Sequence, residues 1–488
     1  MKIYLVVDDL EDWKLNVNGV DVVTSFDYLT NPKYQDKKGA RVFNLCRSYN
    51  YQESGYYVSL LGQARSHKAI PSVETVLEMR SQSLLRIRSQ ELDDLIQSSL
   101  ADIRGKEFEL SIYFGRSLAK KYDRLTNELH KIFHAPLIRT KFAKKDKWRI
   151  TQIAPIALKD VPKSHRDDLE DSASEYFVKR LSTRKLTNAR FSLAILVDPT
   201  EKLPPSNEKA IKKFIKAADE LEIETELITK DDMTRLAEFD ALFIRTTTAV
   251  NHYTYRFAQK AEALGLFVID DPSSILKCTN KVYLAELFTR HDIPAPKTIY
   301  IHKNNLESIA SKIHLPVVLK RPDSSFSQGV IKVTQQKDLQ KVLFEMLEDS
   351  DLVIGQEYIE TSFDWRIGIL NGKAIYACKY HMARNHWQIY KQSNNGQVID
   401  GEADTFSLDR VPKDLIAVAV KAASFIGKGL YGIDIKEKDG KYFIIEINDN
   451  PNIDSGCEDL ILKDGLYKLI MEYFLKKMEM RTKGITCE

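Results

Sequence analysis

The sequence predicts a multidomain chain combining α/β and α+β architecture, and three observations carry that prediction. At 488 residues it is too long for one hydrophobic core and has the length of two to four domains. Between residues 190 and 276 short apolar strands alternate with helices, the pattern of a small parallel α/β layer. The flanking stretches, 1–184 and 277–478, mix strands and helices, and the second ends in a β-hairpin.

The first stretch opens with a strand at Ile3 to Val7. Helical patterns cover Val73 to Leu85 and Glu91 to Ile103, followed by a strand at Phe108 to Phe114 and a helix over Leu118 to Phe133. Strands follow at Ile138 to Phe142 and Trp148 to Ile153. A charged helix, Ser164 to Leu181, then runs into the linker Ser182-Thr183-Arg184-Lys185. The middle stretch reads as strand Ser192 to Val197, helix Asn207 to Leu221, strands Thr225 to Ile228 and Ala241 to Arg245, helix Tyr253 to Leu264 and strand Phe267 to Ile269. No internal repeat or low-complexity segment is evident.

Charge and composition exclude several classes of function. Lys and Arg number 72 against 69 Asp and Glu, a net of +3, so no global pull on nucleic acid or an acidic membrane is indicated. Lys144-Lys145 and Lys476-Lys477 read as solvated faces. The longest apolar runs, such as Phe191 to Val197, fall far short of the ~20 residues that span a bilayer. The amino terminus meets Asp8-Asp9 too early for a secretory signal, so a cytoplasmic protein is expected. Cys46, Cys278, Cys378, Cys457 and Cys487 are odd in number and scattered, which reads as free thiols.

Chemistry is most legible near the carboxyl end. Tyr431-Gly432-Ile433-Asp434-Ile435, the turn signal Lys438-Asp439-Gly440-Lys441, and Phe443-Ile444-Ile445-Glu446-Ile447-Asn448 form a hairpin pattern. Alternation places Glu446 and Asn448 on one face and Ile445 and Ile447 on the other. A turn centred on Gly440 sets Asp434 opposite Glu446, so two carboxylates and an amide converge. Such hard oxygens suit Mg²⁺ or Mn²⁺, whose shell is completed by water and substrate phosphates.

The spacing of Asp434, Glu446 and Asn448, followed by Asn450-Pro451-Asn452, resembles the metal end of ATP-grasp ligases. Three further pieces stand in the same order. They are Asp271-Pro272 through Asn280-Lys281 at the head of a helix, the strand Pro316 to Lys320 with its loop Arg321 to Gly329, and Leu352 to Ile359 followed by Asp364-Trp365-Arg366. The chain from about Phe191 onward is most similar to the RimK-like carboxylate–amine ligases. That resemblance implies an ATP-grasp fold, with ATP held between two antiparallel-sheet subdomains behind a small parallel α/β domain. It also implies amide formation with release of ADP and phosphate, ATP with two Mg²⁺ or Mn²⁺ ions, and a homo-oligomer.

The resemblance gives each site residue a role beside its plainer reading. Lys281 lies in the first turn of a helix, where a cation opposes the dipole unless an anion is near. Lys320 ends an apolar strand. Both match phosphate ligands, while either alone is what a snorkelling surface lysine looks like. Ser324, Ser325, Ser327 and Gly329 match a phosphate-covering lid. Gln356, Glu357, Tyr358 and Ile359 match the adenine-binding segment, and the same pattern is that of any buried strand. Asp364 stands where the family holds the ribose hydroxyls. Arg366 can reach phosphate or a substrate carboxylate, and an Asp364–Arg366 ion pair is the plainer reading. Lys379 alternates with apolar neighbours and is expected in the same cleft, so Lys320, Arg366 and Lys379 form the expected catalytic set.

RimK-like glutamate ligases carry an arginine-serine-asparagine run with paired glycines after this strand. Here the stretch reads His386-Trp387-Gln388-Ile389-Tyr390-Lys391-Gln392-Ser393-Asn394-Asn395-Gly396, which departs from a glutamate donor site. Arg384, His386, Trp387, Tyr390 and Lys391 suit either a substrate pocket or the outer face of a hairpin. Cys46 to Leu61 and Arg65 to Ser72 resemble the amino-terminal module of some RimK-like proteins. Its tyrosines, with Arg47, Asn50 and Lys68, suit either recognition of a partner or packing at an interface. The expected substrate is an amino acid, a small peptide or a protein tail, with no nucleic acid and no membrane. A catalytically silent ATP-binding regulator or scaffold is the alternative.

Overall fold

The computed structural model describes residues 2–15, 17, 19–35, 40–81, 85, 92–181, 189–310, 313–323, 329–383, 387–392, 398–400 and 402–482. Backbone contacts group the chain into two units. One comprises 1–194, 222–241 and 477–488, and the other 195–221 and 242–476.

The first unit holds a four-stranded sheet in the order Val20–Thr24, Ile3–Val7, Arg41–Asn44, Lys68–Ile70, with every neighbouring pair parallel. Such strands are covered on both sides. Ile3, Leu5 and Val7 face one apolar layer with Phe43, while Tyr4, Val6 and Val42 face the other with Tyr28 and Val58. Only Ile3–Val7 of this sheet is read from the sequence, because its other strands are three to five residues long and carry no clear period. The helix Ser54–Ala64 lies within the tyrosine-rich stretch, with Gly55, Val58, Ser59 and Gly62 buried. An antiparallel meander follows, Glu107–Tyr113, Leu137–Lys144, Trp148–Pro155. The helix Asp123–Ile132 packs Leu125 and Leu129 into its core. Expected helices over Val73 to Leu85 and Glu91 to Ile103 are seen as Val73–Arg80 and Asp93–Ser99.

A further sheet has the order Phe267–Ile269, Ala241–Ile244, Phe191–Leu196, Ile223–Ile228, with the helices Glu208–Glu220 and Tyr253–Ala263 between its strands in sequence.

The second unit is built around two antiparallel sheets. One runs Thr298–Ile301, Val353–Glu357, Val317–Lys320, Val330–Val333. Its apolar face is filled by Leu339, Leu343, Met346 and Leu347 of the helix Gln336–Asp349. The other runs Ala403–Phe406, Lys373–His381, Phe363–Leu370, Leu430–Lys438, Lys441–Asp449. Leu415, Ala419, Ala422 and Ala423 of the helix Lys413–Ser424 pack on it. Among the described residues no helix is long and apolar enough to cross a membrane.

Candidate nucleotide and metal site

Within the second unit one cavity of about 500 Å³ is lined from both antiparallel sheets. Its floor is the hairpin of Leu430–Lys438 and Lys441–Asp449. Asp439 and Gly440 take positive φ, +53° and +69°, which turns the chain in two residues and pairs Lys438 with Lys441. Counting back from that turn sets Ile435 opposite Ile444, and a one-residue register shift then places Asp434 opposite Glu446 and Gly432 opposite Asn448. Asn448 Nδ2 donates to Asp434 Oδ2 at 3.0 Å, so the three expected metal ligands lie side by side.

One expectation for the hairpin is corrected. The register shifts after Asp434, where Ile435 pairs with Ile444. This bulge turns Ile445 to the cavity beside Glu446, while Ile444 and Ile447 enter the core. Strict alternation places Ile445 on the wrong face.

Each carboxylate of the floor is matched by a cation. Arg366 Nε and Nη2 donate to Asp434 Oδ1 and Oδ2 at 2.6 and 2.8 Å, a bidentate pair across neighbouring strands. Lys281 Nζ lies 3.0 Å from Glu446 Oε1. That contact resolves the lysine's unfavourable place at a helix start, because the anion it needs is Glu446. Asn280 caps the same helix through Tyr283 N–H and holds Asp323 at 2.9 Å. Lys436 Nζ donates to Asp364 Oδ1 at 2.6 Å and to Thr361 Oγ1 at 2.8 Å. The alternative Asp364–Arg366 pair is not formed; each makes a cross-strand pair instead.

Burial pushes the Glu446 carboxyl up, but Lys281, Lys320 and Arg366 together outweigh it and hold it below the ordinary value. Burial raises Asp364, against the pull of Lys436. Lys320 donates to Gln356 Oε1 at 2.7 Å instead of to a carboxylate. Its burial lowers the ammonium to about 8; Lys281 and Lys436 push the same way and Glu446 opposes. Two cations, Lys281 and Lys436, and two acids, Glu446 and Asp364, thus bear on Lys320.

The residues present suit a divalent cation. No cluster of three or more His, Cys, Asp or Glu placed for a metal occurs among the described residues. Asp434, Glu446 and Asn448 would offer an ion two carboxylates and one amide, a donor set of the kind that Mg²⁺ completes with water and phosphate.

Gln356, Glu357, Tyr358 and Ile359 also line the cavity. Gln356 Nε2 donates to Thr298 Oγ1 at 3.2 Å, which holds the amide that receives Lys320. Of the expected lid, Gly329 takes φ +68° and its carbonyl accepts Arg321 N–H at 3.0 Å, closing the loop. Ser324, Ser325 and Ser327 lie outside the described residues, as do Arg384 and His386.

Lys379 is a second correction. It pairs with Trp365 across the strands, on the face opposite Arg366. Its Nζ sits 4.0 Å from the Phe363 ring centroid and 4.5 Å from that of Trp365, a cation–π contact away from the cavity.

Several lining residues were not singled out from the sequence. Lys436 carried a signal, being two residues from Asp434 and therefore on its face. Thr248 and Asp449 carried none: Thr248 Oγ1 donates to Asp449 Oδ2 at 2.7 Å, joining positions about two hundred apart in sequence. Burial raises Asp449 to about 7, with the Thr248 hydroxyl opposing. Arg245, 1% exposed, spends its guanidinium on Ser206, Asn450 and the carbonyls of Pro205 and Pro451, fixing the segment that follows the metal strand. Gly432 is required here: a Cβ on it would stand 2.8 Å from Pro451 Cβ and 3.3 Å from Arg366 Cδ.

Residues 25–172 match the RimK-like ATP-grasp N-terminal domain and residues 278–463 the RimK-like ATP-grasp domain. A Vibrio vulnificus protein named "Probable alpha-L-glutamate ligase" is 25% identical over 257 residues, 51% of this chain and 81% of the relative. The "Alpha-aminoadipate--LysW ligase LysX" of Saccharolobus solfataricus is 28% identical over 197 residues, 39% of this chain and 68% of the relative. Among solved structures, the Bacillus anthracis D-alanine–D-alanine ligase complexed with ATP has 18% identity and a TM-score of 0.46, covering 60% of this chain and 100% of that one. With both modules matched in order, the chain belongs to the RimK-like ATP-grasp family, whose ATP-grasp domain is that of ligases forming C–N bonds.

Proposed function

We propose that this protein is an ATP-dependent carboxylate–amine ligase that joins an amino acid, small peptide or protein tail through an acyl-phosphate intermediate. One observation carries the reading: Asp434, Glu446 and Asn448 line one cavity with Lys281, Lys320, Arg366 and the segment Gln356 to Ile359. The names of the relatives, a glutamate ligase and an α-aminoadipate ligase, support a substrate of the amino-acid class.

A carboxylate resists attack by an amine, so its oxygen first attacks the γ-phosphorus of ATP. The β–γ phosphoanhydride bond breaks and ADP leaves. The amine nitrogen then attacks the acyl carbon, the acyl C–O bond breaks, phosphate departs, and the amine gives up a proton. Lys281, Lys320 and Arg366 offset the charge that builds on phosphoryl oxygens in both steps. Asp434, Glu446 and Asn448 would hold Mg²⁺ or Mn²⁺, which supplies further neutralisation of those oxygens. Gln356 keeps the Lys320 ammonium aimed into the cavity, and no residue need become covalently attached.

The test is to incubate the full chain with Mg-ATP and pooled amino acids and peptides, measuring nucleotides and adduct masses. ADP with a new species one water lighter than its two parents is the expected result. Nucleotide binding without turnover would overturn it in favour of a regulatory ATP-binding protein.

A further inference from the structure

We infer that Trp387 contacts the nucleobase of the bound nucleotide, with Lys332 as its positioning residue; this rests on the nucleotide reading of the cavity given above. Trp387 belongs to the stretch in which this chain departs from the glutamate ligases, and its sequence alone left it between a substrate pocket and an exposed hairpin face. Its contacts in the structure favour a third role.

Trp387 and Tyr358 both line the cavity. Their ring centroids are 6.1 Å apart at 79°, an edge-to-face pair. Tyr358 belongs to the segment after the strand Val353–Glu357, two residues beyond the Gln356 amide that receives Lys320. Trp387 is therefore tied to the end of the cavity built by 356–359 and not to the metal floor.

Lys332 supplies the clamp. It pairs with Val318 on the strand Val317–Lys320, and Val318 and Val330 line the cavity from the same sheet. Its Nζ lies 4.4 Å from the Tyr358 centroid and 5.5 Å from that of Trp387. One ammonium thus touches two aromatic rings, a favourable cation–π arrangement. The contact also joins the sheet of Val317–Lys320 to a loop that follows Lys373–His381 of the other sheet. Two aromatic rings beside the aliphatic side chains Val318, Val330 and Ile359 make a wall suited to a flat heterocycle. A purine stacks on such surfaces through its π face, whereas a phosphate or an aliphatic amino acid gains little from them.

The experiment compares the full-length chain with Trp387→Ala, Trp387→Phe, Lys332→Met and Lys332→Arg, titrated calorimetrically with Mg-ATP, adenosine and inorganic tripolyphosphate. Trp387→Ala is expected to weaken ATP and adenosine on the order of tenfold and leave tripolyphosphate unchanged, with Trp387→Phe recovering most of the loss. Adenosine should quench wild-type tryptophan emission, and the quench should vanish in Trp387→Phe, which isolates one of four tryptophans. Lys332→Met should reduce the quench and Lys332→Arg retain it. Unaltered ATP and adenosine affinities in Trp387→Ala, or a loss shared equally by tripolyphosphate, would overturn the inference while leaving the nucleotide reading intact. A wild-type chain that binds neither ATP nor adenosine would overturn both.

Discussion

Arg366 spans two neighbouring strands to hold both carboxylate oxygens of Asp434, at 2.6 and 2.8 Å, while its guanidinium lies 5.1 Å from the Tyr380 ring centroid. Tyr380 in turn hydrogen-bonds the buried Glu458 carboxylate. The guanidinium therefore faces the expected metal ligand from a fixed position. Arg366→Met is expected to lower kcat by about a hundredfold, the scale of losing one preorganised charge donor. It should also tighten Mn²⁺ binding to the nucleotide-free protein, because the competing cation is gone. Spin-resonance titration of Mn²⁺ checks the second effect, and looser binding would place the ion elsewhere.

Glu446→Ala should abolish ADP formation with the circular dichroism spectrum preserved. The residue lies on a strand whose core contacts come from Ile444 and Ile447. Undiminished ADP release would remove Glu446 from the metal set.

Asp364 and Lys436 form a pair whose side chains are each only 13% exposed. Removing one partner leaves the other buried and uncompensated, a loss of about 3 kcal/mol. Urea unfolding of Asp364→Ala should show that loss, and Asp364→Ala with Lys436→Met should recover part of it. If Asp364 also reaches the ribose, the single variant raises the KM for ATP more than that for the amine; an unchanged ATP KM would remove that role.

Affinity for ATP should fall as pH rises through about 8. The buried Lys320 ammonium is charged below that value and neutral above it, in contrast to a solvated lysine near 10.5. The sign follows from which form attracts phosphate: the protonated lysine binds, so the contribution is present below pH 8 and lost above it. Calorimetry from pH 6.5 to 9.5 on wild type and Lys320→Met measures this, and the variant should lose that component of the slope.

Gly432→Ala inserts a methyl where Pro451 and the Arg366 side chain already meet. Turnover should fall by at least tenfold and the melting temperature should fall too, because the closest clash is with the buried Pro451 ring, with the Arg366 side chain next to it. Full activity in this variant would show that Arg366 has room to shift without consequence.

That Asp434, Glu446 and Asn448 come together was legible in part, because one local rule gives two of them a shared face. Side chains alternate along a strand, which groups Glu446 with Asn448, but the two-residue turn at Asp439-Gly440 alone sets Asp434 opposite Ile445, and only the bulge brings Asp434 to Glu446. Lys281 was legible for a different reason, a cation placed against a helix dipole. Lys379 shows where alternation stops helping: it groups Lys379 with Ala377 but does not tell which face of the sheet is wet. Only pairing with Trp365 decides that. Ile445 was misplaced by a bulge, which no hydrophobic pattern announces. The parallel sheet of Val20–Thr24, Arg41–Asn44 and Lys68–Ile70 stayed hidden because its strands are short and only one of them, Arg41–Asn44, is buried along its whole length. Thr248 and Arg245 became visible only when tertiary structure brought them to Asp449 and Asn450.

The turn at Asp439 and Gly440 touches neither substrate nor core, and it nevertheless works as the ruler of the site. Every cavity-facing position on the second hairpin strand is measured from it, through the one-residue offset that the bulge adds. One inserted residue there would preserve the strands' apolar content while exchanging inward and outward positions, carrying Glu446 and Asn448 toward the helix Lys413–Ser424 and the isoleucines toward the cavity. An exposed surface turn is thereby as intolerant of a change in length as the carboxylates are of a change in chemistry.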